Sequence, residues 1–422
     1  MTYQEALDFL YPLHRFGIKP GLDRVRVLLD LHGSPQTQLG LVVHIAGTNG
    51  KGSVAASLAS IFQSAGKKCA LYTSPHLVDF TERIRINGNQ IPRERVAHYC
   101  SRFRDAVIDN QATFFEATTA IAFAWFADEG VDVSILETGM GGRLDATNVV
   151  DSVYAVITTI GLDHTDWLGG TLSLIAAEKA AIIKKGSRVF TAVSQSEALL
   201  PIQHRAESCQ APLFVVGKDS RCTVVSADPG KLVLEVKTAS RYYPDLKAPL
   251  TGSFHASGVS LAVMVAEDAG IVSEHIYSGL ERILQTGYRA RLELIGTYPS
   301  IFLDVSHNPD GMRETVNTLL AFRHEYRRMY VMFGLASDKD AGAVIRELLR
   351  LECFFVVVNI PSERTVSAEA LCSLCQKEGV AATVFVSGRE GLAFLRAKAG
   401  ADDLILVTGS FYLAGDIIAG GI

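Results

Sequence analysis

Apolar runs too short for helices alternate with stretches whose apolar residues recur at helical spacing. The runs predict strands near residues 41–46, 69–73, 132–137 and 153–160, with helices at 54–65, 93–109 and 116–129 between them. From Arg188 to Leu250 the pattern is more β-like and rich in turn residues. Helical spacing returns over 259–269 and 273–284, and a hinge is expected across 285–294. A second α/β alternation then begins, with strands near 301–305, 329–333, 354–359, 383–387 and 404–408. Strand–helix alternation of this kind predicts mainly parallel sheets. The expected organisation is two α/β domains, residues 1–288 and a smaller one over 289–422.

The first strand runs into His44-Ile45-Ala46-Gly47-Thr48-Asn49-Gly50-Lys51-Gly52-Ser53, followed by helical spacing over 54–65. Strand, glycine-rich turn with lysine and serine, then helix is the layout of a phosphate-binding loop. Glycines let backbone N–H groups approach phosphate oxygens, the lysine meets the β- and γ-phosphates, and the serine hydroxyl holds Mg²⁺. The spacing departs from G-x-x-x-x-G-K-[ST]: Ile45 stands where the first glycine belongs, and Gly52 separates Lys51 from Ser53. The chain is expected to use ATP on a P-loop ATPase-type first domain. The second domain is expected to be Rossmann-like and to close over the nucleotide.

Composition narrows the setting. No uninterrupted apolar run reaches the ~18 residues of a membrane span. The N-terminal residues carry no basic, signal-like segment. The 7 cysteines are odd in number and scattered, which favours reduced thiols in the cytoplasm. Cys372 and Cys375 form a C-x-x-C, but within a helical pattern and without a second pair. A net charge of −5 argues against general nucleic-acid binding. The expected partners are small molecules.

Ligands of open parallel sheets bind beyond the carboxyl ends of the strands. There the predicted strands end in the phosphate loop, in Ser74-Pro75-His76, in Glu137 with a glycine turn, and in Gly161-Leu162-Asp163-His164. If these strands are neighbours, Ser53, Ser74, Glu137 and His164 meet beside a triphosphate and offer a divalent-metal site. Magnesium prefers oxygen ligands, so the imidazole is an unusual addition. Taken singly, Ser74 reads equally as a turn cap and His164 as a hydrogen-bonded loop histidine. Glu137 is costlier to explain blandly, because a carboxylate ending an apolar strand needs a metal or cationic partner.

Several further segments, in this order along the chain, resemble the folylpolyglutamate synthase/dihydrofolate synthase family of the Mur ligase superfamily. They are Phe16-Gly17-Ile18-Lys19-Pro20-Gly21-Leu22-Asp23-Arg24-Val25, the loop itself, Thr73–Leu77, Glu82–Gly88, Glu137–Asn148 and Gly161–Thr165. In the second domain they are Asp304–Gly311, Ser337–Asp340 and Thr408–Tyr412. The resemblance implies an ATP-dependent amide ligase that phosphorylates a folate or pteroate carboxylate and lets the amine of L-glutamate attack the acyl phosphate. It implies that Gly47–Ser53, Arg291 and Asp304 serve ATP. Lys51, Glu137, His164 and Lys179 are the implied catalytic set, and Ser53, Ser74, Glu137, His164 and Lys179 hold magnesium, two ions. Lys179 is by its residues alone an ordinary helix lysine; the resemblance makes it a lysine that can be carbamylated. Asp304, His307 and Ser410 are implied for glutamate, although Asn308-Pro309-Asp310 reads by itself as a helix start. Thr113, Asp145 and Ala146 match positions tied to dihydropteroate, which implies dihydrofolate synthase activity beside polyglutamylation. A monomer is implied.

Two segments depart from the family pattern. Gly252-Ser253-Phe254-His255-Ala256-Ser257-Gly258 replaces G-x-H-Q-x-x-N, and Arg289-Ala290-Arg291-Leu292-Glu293 replaces P-G-R-x-E. Losing the asparagine contact removes about 1 kcal/mol of nucleotide binding, and His255 is expected to reach the same nucleotide edge. Competing readings are a polyglutamylating enzyme alone, another superfamily ligase acting on cell-wall precursors, and a nucleotide-binding protein without ligase activity. Ser74-Pro75-His76 and Glu82-Arg83-Ile84-Arg85 argue against the second; a complete metal and amino-acid set argues against the third.

Overall fold

A computed structural model describes residues 1–17 and 19–421; Ile18, within the segment 16–25, lies outside the described residues. The first sheet contains β1 (Leu41–Ala46), β2 (Cys69–Tyr72), β3 (Ile84–Ile86), β4 (Asn89–Gln90), β5 (Val133–Glu137), β6 (Tyr154–Ile157), β7 (Arg188–Thr191) and β8 (Leu213–Val215). Its order is β4-β3-β2-β5-β1-β6-β7-β8. The run from β2 through β8 is parallel, and β3 and β4 add an antiparallel edge. Strands β2, β5, β1 and β6 are thus consecutive neighbours, as the site reading requires.

Lys51–Ser64 forms the helix behind the phosphate loop and is buried on every side from Ser53 to Phe62. Its small residues admit close neighbours. A Cβ on Gly279 would stand 2.5 Å from Ile61 Cα, and Ser60 Oγ donates to the Gly279 carbonyl at 2.6 Å. Phe114–Asp128, also apolar around most of its circumference, covers the other face of the sheet.

The stretch 188–250 is mostly β, as expected, with one helical exception. Between β7 and β8 lies a 13-residue helix, Ser196–Ser208, whose internal Pro201 obscures the helical signature. Beyond it, β9 (Ser220–Asp228), β10 (Lys231–Thr238) and β11 (Tyr242–Ala248) make a separate antiparallel sheet.

The second large sheet holds β12 (Glu293–Thr297), β13 (Ser300–Leu303), β14 (Met329–Phe333), β15 (Phe354–Val358), β16 (Ala382–Phe385) and β17 (Leu404–Thr408), in the order β12-β13-β17-β14-β15-β16. All but β12 run parallel. Strand β12 was not expected: it begins at Glu293, so the connection between the sheets narrows to residues 287–292 after the short helix Ile283–Thr286. Among the described residues, no helix is long and apolar enough to cross a membrane.

The two halves touch tightly at Gly415, in the helix Phe411–Ala419, where a Cβ would lie 2.0 Å from the Leu77 carbonyl oxygen. Backbone cannot yield as a side chain can. Gly415→Ala is therefore expected to push the halves apart, lowering stability by about 1–3 kcal/mol and enlarging the radius of gyration in small-angle scattering. An unchanged radius and melting curve would show that this contact does not hold the halves together.

Candidate active site

The loop after β1 is knitted to the loop after β6. Thr48 N donates to Thr159 O at 2.7 Å, Asn49 N to Thr159 Oγ1 at 3.2 Å, and Thr158 Oγ1 to Asn49 O at 2.6 Å. A Cβ on Gly47 would fall 1.8 Å from Thr158 Oγ1, so only glycine allows this approach. Gly50, at φ +83°, turns the chain into the helix.

Two lysines converge on one carbonyl. Lys51 Nζ donates to Gly47 O at 3.0 Å and Lys179 Nζ donates to the same oxygen at 2.9 Å. Lys179 is 4% exposed. Burial, reinforced by the Lys51 charge, brings its pKa down to about 7. The neutral amine is thus accessible near neutral pH, which is unusual for a lysine.

Glu137 ends β5 beside the loop, in register with Ile45. Its Oε2 accepts from Ser74 N at 3.1 Å, and both its oxygens lie 3.9 Å from where a Gly52 Cβ would be. Burial raises its pKa, against the pull of Lys51, the Ser74 amide and Arg291. Ser53 Oγ lies 2.6 Å from Tyr288 Oη, and burial pushes the Tyr288 phenol up to about 12, so it stays neutral. Among the described residues no three His, Cys, Asp or Glu side chains gather as a metal cage. A buried carboxylate beside a helix N-terminus with a serine hydroxyl nevertheless fits magnesium, which takes few protein oxygens and completes its shell with water and phosphate.

His164 sits at φ +51° before the short helix Thr165–Leu168, its Nε2 3.9 Å from Asp163 Oδ1. Burial lowers its pKa despite Asp163. Across the cleft, Asp304 is 2% exposed and accepts from Leu292 N, Ser306 N, Thr315 Oγ1 and Thr408 Oγ1 at 3.0–3.2 Å. It holds the linker to the end of β13. His307 Nδ1 bonds Val305 O at 2.9 Å, and burial lowers its pKa to about 4. Arg291 stacks its guanidinium 4.7 Å from the Phe411 ring centre.

Gly47–Ser53, Ser74, Glu137, His164, Lys179, Arg291, Asp304 and His307 all line one cleft of about 720 Å³. Four expected residues do not. Ser410 caps Phe411–Ala419, accepting from Tyr412 N at 3.1 Å. Thr113 caps Phe114–Asp128 in a capping box with Glu116, which Arg24 of the 16–25 segment pairs at 3.0 Å. Asp145 accepts from Met140 N and Thr147 N at 2.9 and 3.0 Å and starts the turn containing buried Ala146. Phe115 packs against Gly139, so the helix start and this turn flank one loop.

Sequence reasoning missed the links across the cleft. Asn49 and Asn308 exchange side-chain amide bonds at 3.3 and 3.1 Å, Asn308 also donates to Asp163 at 3.2 Å, and Lys339 Nζ reaches Asp163 Oδ1 at 3.0 Å. Burial opposes ionisation of Asp163, yet His164 and Lys339 hold its pKa well below the usual range. Each residue stood inside a quoted segment, but nothing in one sequence pairs them. His255 is buried with Nε2 unpartnered, and burial lowers its pKa to about 3.

A phosphate loop on a parallel sheet, a short linker and a smaller α/β domain closing the cleft define the Mur ligases. Residues 45–266 match the Mur ligase middle domain and 290–411 the Mur ligase glutamate ligase domain. The chain is 34% identical to the dihydrofolate synthase/folylpolyglutamate synthase of Bacillus subtilis (strain 168), over 99% of this chain and 98% of that protein. It is similar to the solved E. coli FolC in complex with DHPP and ADP, with TM-score 0.89, 30% identity and coverage of 100% and 97%. It is also similar to a bifunctional folylpolyglutamate synthase/dihydrofolate synthase with Mn, AMPPNP and L-glutamate bound, with TM-score 0.86, 28% identity and coverage of 100% and 98%. The chain belongs to the dihydrofolate synthase/folylpolyglutamate synthase family.

Glu137→Gln keeps an acceptor for the Ser74 amide but removes the charge. Metal-dependent nucleotide binding is expected to weaken by at least about tenfold, with thermal stability equal or higher because a buried charge is gone. Calorimetry with and without Mg²⁺ reads both. His255→Ala is expected to raise the ATP requirement about fivefold, one hydrogen bond's worth, equally at pH 6 and 9. An unchanged ATP requirement removes His255 from the nucleotide site.

Proposed function

We propose that this protein is an ATP-dependent amide ligase that joins L-glutamate to dihydropteroate and to folate (poly)glutamates. The observation that carries this is one cleft with a phosphate loop, Glu137 and Lys179 on one wall and Asp304, His307 and Arg291 on the other. Residues 1–288 supply the nucleotide and pterin side, and residues 289–422 the glutamate side. The enzyme works as a cytoplasmic monomer on small-molecule substrates.

Phosphoryl transfer asks for alignment and charge neutralisation more than for a protein nucleophile. The amides of Gly47–Ser53 and the N-terminus of Lys51–Ser64 face the phosphates, and Lys51 moves from the Gly47 carbonyl to a phosphate oxygen. Ser53, Ser74, Glu137 and His164 would hold the metal, two Mg²⁺ ions, which would neutralise the phosphate charge. Arg291 approaches the nucleotide from the linker. The acceptor carboxylate attacks the γ-phosphoryl group, ADP leaves, and the acyl phosphate forms. The glutamate amine then attacks the acyl carbon, the bond to phosphate breaks with its electron pair, and the surplus proton on nitrogen passes to the departing phosphate, leaving the amide. Asp304, His307 and Ser410 orient glutamate, Ser410 through the helix it caps. Thr113, Asp145 and Ala146 shape the pterin end around the loop they flank.

A neutral, buried amine is the form that adds to carbon dioxide, so Lys179 is placed to become a carbamate and offer oxygen to the metal. With its pKa near 7, the reactive fraction grows as pH rises from 6 to 8. Protein equilibrated with ¹³C-bicarbonate is expected to show a carbamate carbon resonance that strengthens over that range and is missing in Lys179→Arg. A spectrum without it at pH 8 would leave Lys179 acting as an amine.

The activity itself is tested by phosphate release with ATP, Mg²⁺ and L-glutamate, comparing 7,8-dihydropteroate with a reduced monoglutamyl folate. Turnover with both acceptors is expected. Turnover with the folate alone would make the enzyme a dedicated polyglutamylating ligase and remove Thr113, Asp145 and Ala146 from pterin binding. Silence with both, from protein that binds ATP, would overturn the ligase reading.

A further inference from the structure

Ser53 is in the first turn of its helix, where a serine hydroxyl can turn back to the carbonyl four residues earlier. That carbonyl is Asn49 O, and it already accepts from Thr158 Oγ1 at 2.6 Å and Thr159 Oγ1 at 3.1 Å. Ser57 takes the Ser53 carbonyl, not its hydroxyl. The local partner being occupied, the Ser53 hydroxyl meets Tyr288 Oη at 2.6 Å instead.

Tyr288 lies on the connection between the two large sheets, between Gly287 at φ +82° and Ala290 at φ +56°. Its ring meets His255 edge-on at 6.3 Å between ring centres, and it lines a small pocket with Gly52, Ser74, Glu137 and Arg291. A serine oxygen that ligates a cation gives a lone pair to the metal, and its proton then needs an acceptor. Ligation makes that proton a stronger donor.

We propose that Tyr288 is a positioning residue for the metal: its hydroxyl accepts the Ser53 proton, turns a lone pair of Ser53 Oγ to the cation, and so ties metal binding to the interdomain connection. The proposal rests on the reading of Ser53 as a metal ligand.

The test is Mn²⁺ binding in the presence of ADP, followed by electron paramagnetic resonance of free Mn²⁺, in wild type, Tyr288→Phe, Ser53→Ala and the double variant. Phe keeps the ring and removes only the hydroxyl. Tyr288→Phe is expected to weaken Mn²⁺ roughly tenfold, leaving ADP binding without metal and the melting temperature unchanged. In the Ser53→Ala background the same change is expected to have no further effect. Equal or tighter Mn²⁺ binding by Tyr288→Phe overturns the proposal, as does an equal loss of metal-free ADP binding or a full further loss in the Ser53→Ala background. Wild-type protein that binds ADP but no Mn²⁺ would instead overturn the metal reading itself.

Discussion

Backbone groups at the carboxyl end of a parallel sheet need partners once the strands stop, and here the loop after β1 finds them in the loop after β6. Thr158 and Thr159 saturate the Asn49 carbonyl, and Thr159 also receives the Thr48 and Asn49 amides. Gly47 permits the approach, because any Cβ would strike Thr158. Everything else in the cleft is set by this junction. The Gly47 carbonyl points to where both lysines reach it, Ser53 is denied its local acceptor, and Glu137 stands one strand away.

Electrostatics in the cleft follow from crowding positive charge where little water reaches. Lys179 shares its acceptor with Lys51, and burial without a carboxylate bonded to it favours the neutral amine. Glu137 shows the mirror effect: burial raises its pKa while Lys51 and Arg291 pull it down. A buried carboxylate and a buried amine, each resisting its own charge, are what a site for a polyanion and its cation requires before they bind.

The chemistry at the strand ends was legible because it depends on order along the chain. Once β2, β5, β1 and β6 are neighbours, Ser74, Glu137, the phosphate loop and His164 share an edge by topology alone. Contacts between distant segments were not legible. The Ser53–Tyr288 bond and the Asn49–Asn308 pair join residues far apart in sequence, and no periodicity encodes them. Local signals also misled. Pro201 hid the helix Ser196–Ser208, and an expected hinge concealed β12 because a short edge strand has little apolar pattern of its own. Thr113 and Ser410 each accept a backbone amide as a helix cap, a structural use that their motifs alone do not spell out.

Asn49 belongs to the phosphate loop, yet its side chain is committed to Asn308 in the other half of the molecule. Each amide gives one donor and one acceptor to the other, so neither can be satisfied in the same way alone. The loop that grips the nucleotide is thus jointly owned. The loop's own residues all lie in the first half of the chain, but its shape is braced from the second. An isolated first domain would retain the whole motif and lack one of the supports that keep it taut.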